Sequence, residues 1–130
     1  MNAMIDTGDA AAVPLALRLL LFLLMAGAGM LLARVGLRGR REQLRRNPWA
    51  GVRTTLTMSS DDAFRVANRV AAPLTIAGGA VSVLTAVAIL WTSDPGVMAG
   101  TLGAGGLLTG ALVLLGGVRG HRAAQRQAGR

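Results

Sequence analysis

The chain has 130 residues, a formal net charge of +8 and no cysteine, and 52% of its residues are hydrophobic although only 3% are aromatic. The length suits one domain, and the lack of cysteine excludes disulfides and thiolate chemistry. Because His121 is the only histidine, we expect neither a histidine metal site nor a Ser-His triad, and we predict no metal and no cofactor. The 18 glycines favour helices that pack closely in lipid.

Three apolar stretches are each long enough to cross a bilayer core of about 30 Å, which takes about 20 residues. They run over 13–37, 70–91 and 97–118. A soluble bundle is disfavoured because no stretch shows a polar stripe. A short turn at Asp94 and Pro95 joins the second and third stretches into a helical hairpin. The predicted fold class is therefore an all-α membrane protein with three transmembrane helices.

The first stretch is predicted to be a retained helix and not a cleaved signal peptide. Signal peptides open with a basic region, whereas this chain opens with Asp6 and Asp9 and places an Arg-rich segment, 34–46, behind a long apolar stretch. Arg18 is the one charge near the outer end of this helix. We expect its side chain to snorkel to the lipid headgroups, and a functional role for it stays open.

The arginines predict the orientation of the chain in the membrane. Nine lie between positions 34 and 69 and four follow the third span, whereas the N-terminal tail and the turn at Asp94 have none. The positive-inside rule then places the N-terminus outside and the loop and C-terminus in the cytoplasm of a multi-pass plasma-membrane protein. The predicted organisation is an extracytoplasmic tail at 1–12, transmembrane helices at 13–37, 70–91 and 97–118, a cytoplasmic loop at 38–69 and a basic tail at 119–130.

The predicted cytoplasmic loop opens with a dense basic block, Arg38–Arg46, which is expected to lie on anionic lipid. Nine residues form no nucleic-acid-binding fold, so we predict no nucleic-acid partner. After the block, Pro48 and Gly51 permit a turn and Trp49 fits an interfacial anchor. The segment 54–57 favours extended backbone because it is rich in threonine.

Arg53 stands apart from the basic block, among neutral residues. An isolated arginine beside glycine and threonine can clamp a carboxylate, a phosphate or backbone carbonyls. The structural alternative is that Arg53 pairs with Asp61 or Asp62 and only shapes the loop. The sequence leaves both interpretations open.

A short amphipathic helix is predicted between the loop and the second span. Ser59 is the expected N-cap, with Asp62 as its capping-box-like partner. We expect this interfacial helix to lie along the inner membrane surface and to turn near Pro73 into the second span. The alternative is that it forms the first turns of that span. Its polar arc consists of Asp61, Asp62, Arg65, Asn68 and Arg69.

These residues resemble the signature of the SdpI family of bacterial membrane proteins. The resemblance covers roughly residues 20–117 and is most specific over 47–69, and Phe64 stands where members often carry Trp. The namesake of the family is a longer immunity protein that confers resistance to a secreted peptide toxin and holds a transcriptional repressor at the membrane. The matching residues are Asn47, Gly51-Val52-Arg53-Thr54, Thr57, Ser59 or Ser60, Phe64 and Ala67-Asn68-Arg69.

The resemblance implies a non-enzymatic membrane protein that binds a protein or peptide partner in toxin immunity or membrane-linked signalling. The partner would be a membrane complex, a regulator or a peptide toxin. A small accessory subunit of a larger complex is the alternative, whereas an enzyme or transporter is disfavoured because no span holds a buried acid or histidine. The candidate partner-binding residues are Asn47, Trp49, Gly51, Arg53, Thr54, Thr57, Phe64, Asn68 and Arg69.

Small residues recur at a spacing of four in the second and third spans, which lets helices approach closely. We expect these ridges to pack within the hairpin, and a homo-oligomer or a partner subunit stays open. The residues are Ala71, Thr75 and Gly79 in the second span, and Gly96, Gly100, Ala104, Gly106 and Gly110 in the third.

Overall fold

A computed structural model describes residues 11–130 of the chain. Within this range the chain forms three helices, α1 over Leu15–Arg40, α2 over Asp61–Leu90 and α3 over Pro95–Ala128. All three are long and apolar enough to cross a membrane, which confirms the predicted all-α membrane fold. Most of the predicted N-terminal tail, 1–12, lies outside the described residues.

The central helix of the fold is α2, which packs against both α1 and α3, whereas no Cα atom of α1 lies within 8 Å of one of α3. Backbones approach closely where α1 meets α2, because Gly29 of α1 faces Gly79 of α2. Nearby, Ser82 Oγ donates a hydrogen bond of 2.9 Å to the Met25 carbonyl. Because two of the three helices are separated, a groove remains between them over α2.

The packing of α3 on α2 uses different glycines from those predicted. Gly105, Gly116 and Gly120 face α2, and a Cβ at Gly116 would lie 3.1 Å from the Ala71 carbonyl oxygen. A Cβ on Gly100, Gly106 or Gly110 would meet no atom within 4 Å. The prediction of packing within the hairpin was therefore right about Ala71 of α2, and wrong about Gly79, which packs on α1, and about the ridge of α3.

The predicted interfacial helix is wrong, because α2 is one continuous helix from Asp61 to Leu90 with Pro73 inside it. The apolar face expected to lie on the membrane is covered by protein instead. Ala63 and Ala67 of the first turns form a buried cluster with Ala124 of α3. The amphipathic pattern over these residues thus reflects packing within the chain, which matches the alternative that they begin the second span.

The helix α3 extends far beyond the apolar stretch at 97–118. At 1.5 Å per residue its 34 residues span about 51 Å, compared with a bilayer core of about 30 Å. The additional turns reach the first turns of α2, where Gly120 lies against the Ala67 backbone. The segment 119–128, predicted as part of a basic tail, is therefore helical and packed at this end of the molecule, called here the loop end.

The opposite end of the molecule, called here the turn end, is held by side chains that cap helices. Asp94 Oδ1 accepts a hydrogen bond of 2.8 Å from the Val97 amide, which caps α3 in the predicted hairpin turn. Arg18 lies at this end, where its guanidinium donates to the Leu90 carbonyl at 2.9 Å, a contact within the protein that the expectation of snorkelling to the headgroups did not include. A cation at the C-terminal carbonyls of α2 is favourable because those groups have no partner within the helix.

Candidate functional site

The connection between α1 and α2, residues 41–60, is called here the signature loop, and Asn68 of α2 fastens it to the helix. Asn68 Oδ1 accepts a hydrogen bond of 2.7 Å from the Val52 amide, and its Nδ2 donates to the Phe64 carbonyl at 2.8 Å. The residue is only 5% exposed. The side-chain amide of Asn68 is buried and bonded through both its oxygen and its nitrogen. It fixes the loop, because breaking either bond would leave a buried polar group without a hydrogen-bond partner.

Gly51 brings the backbone of the loop close to Asn68. Its φ of +96° lies in the left-handed region that favours glycine. A Cβ at this position would collide with Asn68 Oδ1, and it would lie 3.0 Å from Leu44 Cδ2. The signature residues Gly51 and Asn68 therefore form one structural unit, in which the lack of a Cβ at Gly51 leaves room for the amide oxygen of Asn68.

Thr54 and Thr57 build a turn in the middle of the signature loop. Thr57 is fully buried, and its Oγ1 accepts from the Thr54 amide at 2.7 Å and donates to the Val52 carbonyl at 2.9 Å. The Met58 amide donates to the Thr54 carbonyl at 3.0 Å, which closes the turn. The predicted extended backbone over 54–57 is wrong, because threonine hydroxyls bond the local backbone and compete with extended structure.

His121 of α3 joins the signature loop, although the sequence interpretation placed it in a tail. Its Nδ1 lies 2.9 Å from Thr54 Oγ1, within hydrogen-bonding distance. The missed signal is the spacing of Gly116, Gly120 and Ala124, which continues a small-residue ridge beyond the apolar stretch. Such a ridge indicates that the helix continues and that the residues beside it, His121 included, lie against a neighbour.

The first part of the signature loop is shaped by Asn47. Its Oδ1 accepts from the amides of Trp49 at 2.9 Å and Ala50 at 2.8 Å, and its Nδ2 donates to the Arg45 carbonyl at 2.8 Å. This is an Asx-type turn, in which the side chain takes the place of a backbone partner. Asn47 thus presents Trp49, which is 86% exposed, on the surface of the loop.

Arg53 is exposed, and its guanidinium donates to the Pro48 carbonyl. Within residues 11–130 it forms no ion pair, since Asp61 lies 3.2 Å from Arg46 and Asp62 pairs with Arg65. The alternative that Arg53 pairs with one of these aspartates is therefore wrong. Its charge is available at the loop surface.

The start of α2 differs from the prediction in its cap. Ser60 is the N-cap and accepts from the Ala63 amide at 3.1 Å, whereas Ser59 donates to the Leu56 carbonyl. Further along, Arg69 pairs with Glu42 at 2.7 Å and thereby connects α2 to the start of the signature loop. Both partners are about half exposed, so this pair contributes at most about 1 kcal/mol.

The candidate residues fall into two groups by burial. Phe64 and Thr57 are fully buried and Asn68 nearly so, which makes them the interior of the loop end. Trp49 and Arg53 are exposed on its surface. The signature therefore combines residues that fold the loop with residues that the folded loop presents.

The groove between α1 and α3 opens beneath the signature loop. Its volume is about 590 Å³, within the range of small-molecule sites of roughly 300–1,000 Å³. Leu32 of α1 and Leu114 of α3 line its apolar part. Residues 51–54 of the signature loop bound one end, so the loop and the groove form one continuous surface.

Replacing Thr57 by valine is expected to destabilise the signature loop by about 1–2 kcal/mol. The substitution keeps the shape of the side chain but removes the oxygen that serves the Thr54 amide and the Val52 carbonyl. Thr55→Val is the matched control, because Thr55 is exposed in the same turn. Limited proteolysis of the loop in detergent should be faster for Thr57→Val alone, and equal rates for both variants would refute the role of Thr57.

The three apolar helices and the ordered, arginine-rich loop define a multi-pass helical membrane protein with a folded surface at one end. The profile of the SdpI/YfhL protein family matches residues 43–118, which is more than half of the chain and includes most of the signature loop, α2 and most of α3. The chain belongs to the SdpI/YfhL protein family, as the signature residues predicted. Curated proteins and solved structures gave no match.

Proposed function

We propose that this chain is a non-enzymatic membrane protein that binds a protein or peptide partner through the surface of the signature loop. The observation that carries the proposal is the split between a buried, hydrogen-bonded loop interior at Thr57 and Asn68 and an exposed pair, Trp49 and Arg53. Exposed aromatic and arginine side chains on a fixed backbone are typical of binding hot spots. Toxin immunity or membrane-linked signalling is the proposed setting, in the manner of the namesake of the family.

The proposed binding surface lies on the cytoplasmic side of a bacterial plasma membrane. Support comes from the nine arginines between positions 34 and 69 and the four beyond the third apolar stretch. The helix order brings both groups to the loop end, where a positive-inside bias would retain them. A non-enzymatic role is proposed because the apolar stretches hold neither an acid nor a histidine.

Replacing Arg53 by alanine is expected to abolish partner binding while insertion and abundance stay normal. The exposed guanidinium bonds only the Pro48 carbonyl within the described chain, so its loss removes little of the fold. Arg45→Ala is the matched control, because Arg45 is an exposed arginine of the same loop. Native co-purification in mild detergent with quantitative mass spectrometry should recover partners with the wild type and Arg45→Ala. Recovery of the same partners with Arg53→Ala would rule out the proposed surface.

A second candidate function is that of a small accessory subunit in a larger membrane complex. It is favoured by the glycines of α3 that face away from α2, since a Cβ on Gly100, Gly103, Gly106 or Gly110 would meet nothing within 4 Å. Such positions allow another helix to pack closely in lipid. Purification in mild detergent separates the two candidates: large stoichiometric partners favour the subunit, and a small oligomer without them favours the first proposal.

A further inference from the structure

The groove between α1 and α3 is apolar over one part of its length and polar at one end, as an amphiphilic ligand is. Its apolar part is lined by Leu32 and Val35 of α1 and by Val113, Leu114 and Val118 of α3. These residues belong to the apolar helices, and α1 and α3 leave a groove between them because their backbones stay more than 8 Å apart, measured between Cα atoms. In a membrane this part of the groove is open to the acyl chains.

The end of the groove beneath the signature loop is basic and polar. It is lined by Arg53 and Thr54 of the loop and by His121, Arg122 and Gln125 of α3. Among the residues that line the groove there is no aspartate or glutamate, so no carboxylate neutralises the two guanidinium groups there. Arginine is well suited to a phosphate because its planar fork can donate two parallel hydrogen bonds.

We infer that this groove holds one anionic phospholipid of the bilayer, with the phosphate at Arg53 and Arg122 and an acyl chain along α2 between α1 and α3. Charge complementarity favours an anionic headgroup, because two arginines and no acidic residue line this end of the groove. The position of the signature loop also fits a phospholipid. Residues 51–54 bound the groove at the loop end, where the headgroup of the lipid would follow its acyl chain. This inference shares Arg53 with the proposed partner-binding surface, and Arg122, which lines the groove and is no part of that surface, keeps the two tests apart.

Two substitutions separate a lipid in the groove from lipid attracted to the surface in general. Arg122→Gln removes one predicted phosphate ligand without changing Arg53, and Arg126→Gln removes an exposed charge one turn further along that does not line the groove. Gly117→Leu fills the groove, because Gly117 lines it and a Cβ there meets no atom within 4 Å. Gly106→Leu adds the same side chain to an equally open glycine outside the groove.

The experiment is native mass spectrometry of the full chain purified in mild detergent from vesicles of equal phosphatidylglycerol and phosphatidylcholine. We expect the wild type to retain one phosphatidylglycerol in preference to phosphatidylcholine. Arg122→Gln should lower that retention about tenfold, because it removes a charge-assisted hydrogen bond to the phosphate. Gly117→Leu should abolish it, whereas Arg126→Gln and Gly106→Leu should match the wild type. Circular dichroism and gel filtration check that each variant is folded.

Three results would overturn the inference. Equal loss in Arg122→Gln and Arg126→Gln would show attraction by surface charge alone. Retention that survives Gly117→Leu would place the lipid outside the groove. A protein dimer or a bound peptide that Gly117→Leu removes, with lipid retention unchanged, would assign the groove to a protein occupant.

Discussion

Replacing Asn68 by alanine is expected to release the signature loop from α2 and to lower the free energy of unfolding by about 1–3 kcal/mol. The side chain is nearly buried and joins two elements, since it accepts from the Val52 amide and donates to the Phe64 carbonyl. Its removal leaves the Val52 amide without its partner and empties the space beside Gly51 that the amide oxygen of Asn68 fills. Unfolding in mixed micelles of mild detergent and dodecyl sulfate measures the change.

The neighbouring residue supplies the control for Asn68. Arg69→Ala removes a half-exposed ion pair with Glu42 and is expected to cost at most about 1 kcal/mol. Asn68→Asp keeps an acceptor for Val52 but replaces the donor to the Phe64 carbonyl, so it should also destabilise the loop end. Equal stabilities of Asn68→Ala and Arg69→Ala would show that Asn68 does not fasten the loop.

Replacing Gly79 by alanine is expected to separate α1 from α2 and to destabilise the fold by about 1–3 kcal/mol or more. A Cβ at Gly79 would lie 2.5 Å from the Gly29 carbonyl oxygen and 2.8 Å from the Ala33 amide nitrogen. Both atoms belong to the backbone of α1, so no side-chain rotation relieves the clash. The same unfolding assay measures the loss, and a cysteine pair across α1 and α2 can be cross-linked to detect the separation.

Gly103→Ala is the matched control for Gly79→Ala, because a Cβ at Gly103 meets no atom within 4 Å. Alanine in place of glycine in an exposed helix interior favours the helix by about 1 kcal/mol or less, so Gly103→Ala should be neutral or slightly stabilising. If Gly79→Ala were as stable as Gly103→Ala, the close contact of α1 with α2 would be wrong.

The parts of the fold that depend on local composition could be predicted from the sequence. Three apolar stretches of sufficient length gave three helices, and the Asp-Pro-Gly sequence gave a turn in which Asp94 caps α3. The continuity of α2 could not be predicted in this way. An amphipathic pattern over 61–69 indicates a covered apolar face, but the pattern is the same whether lipid or Ala124 of α3 covers it.

For the candidate site, sequence alone could find the signature residues but not their partners. Asn68 and Gly51 were singled out 17 positions apart, and only the fold shows that a Cβ on one would collide with the amide oxygen of the other. His121 was missed because its contact with Thr54 depends on how far α3 continues as a helix. The sequence allows two interpretations of Arg53 because the partners of Asp61 and Asp62 depend on the path of the loop.

The central claim is that the signature loop is a folded surface fastened to α2, and amide hydrogen exchange of the full chain in lipid nanodiscs tests it most directly. The Val52 amide donates to buried Asn68 Oδ1 and the Thr54 amide to buried Thr57 Oγ1. Both amides should exchange slowly in the wild type, and the Val52 amide should exchange as in an unstructured peptide in Asn68→Ala. Exchange of both amides at the unstructured rate in the wild type would contradict a folded loop.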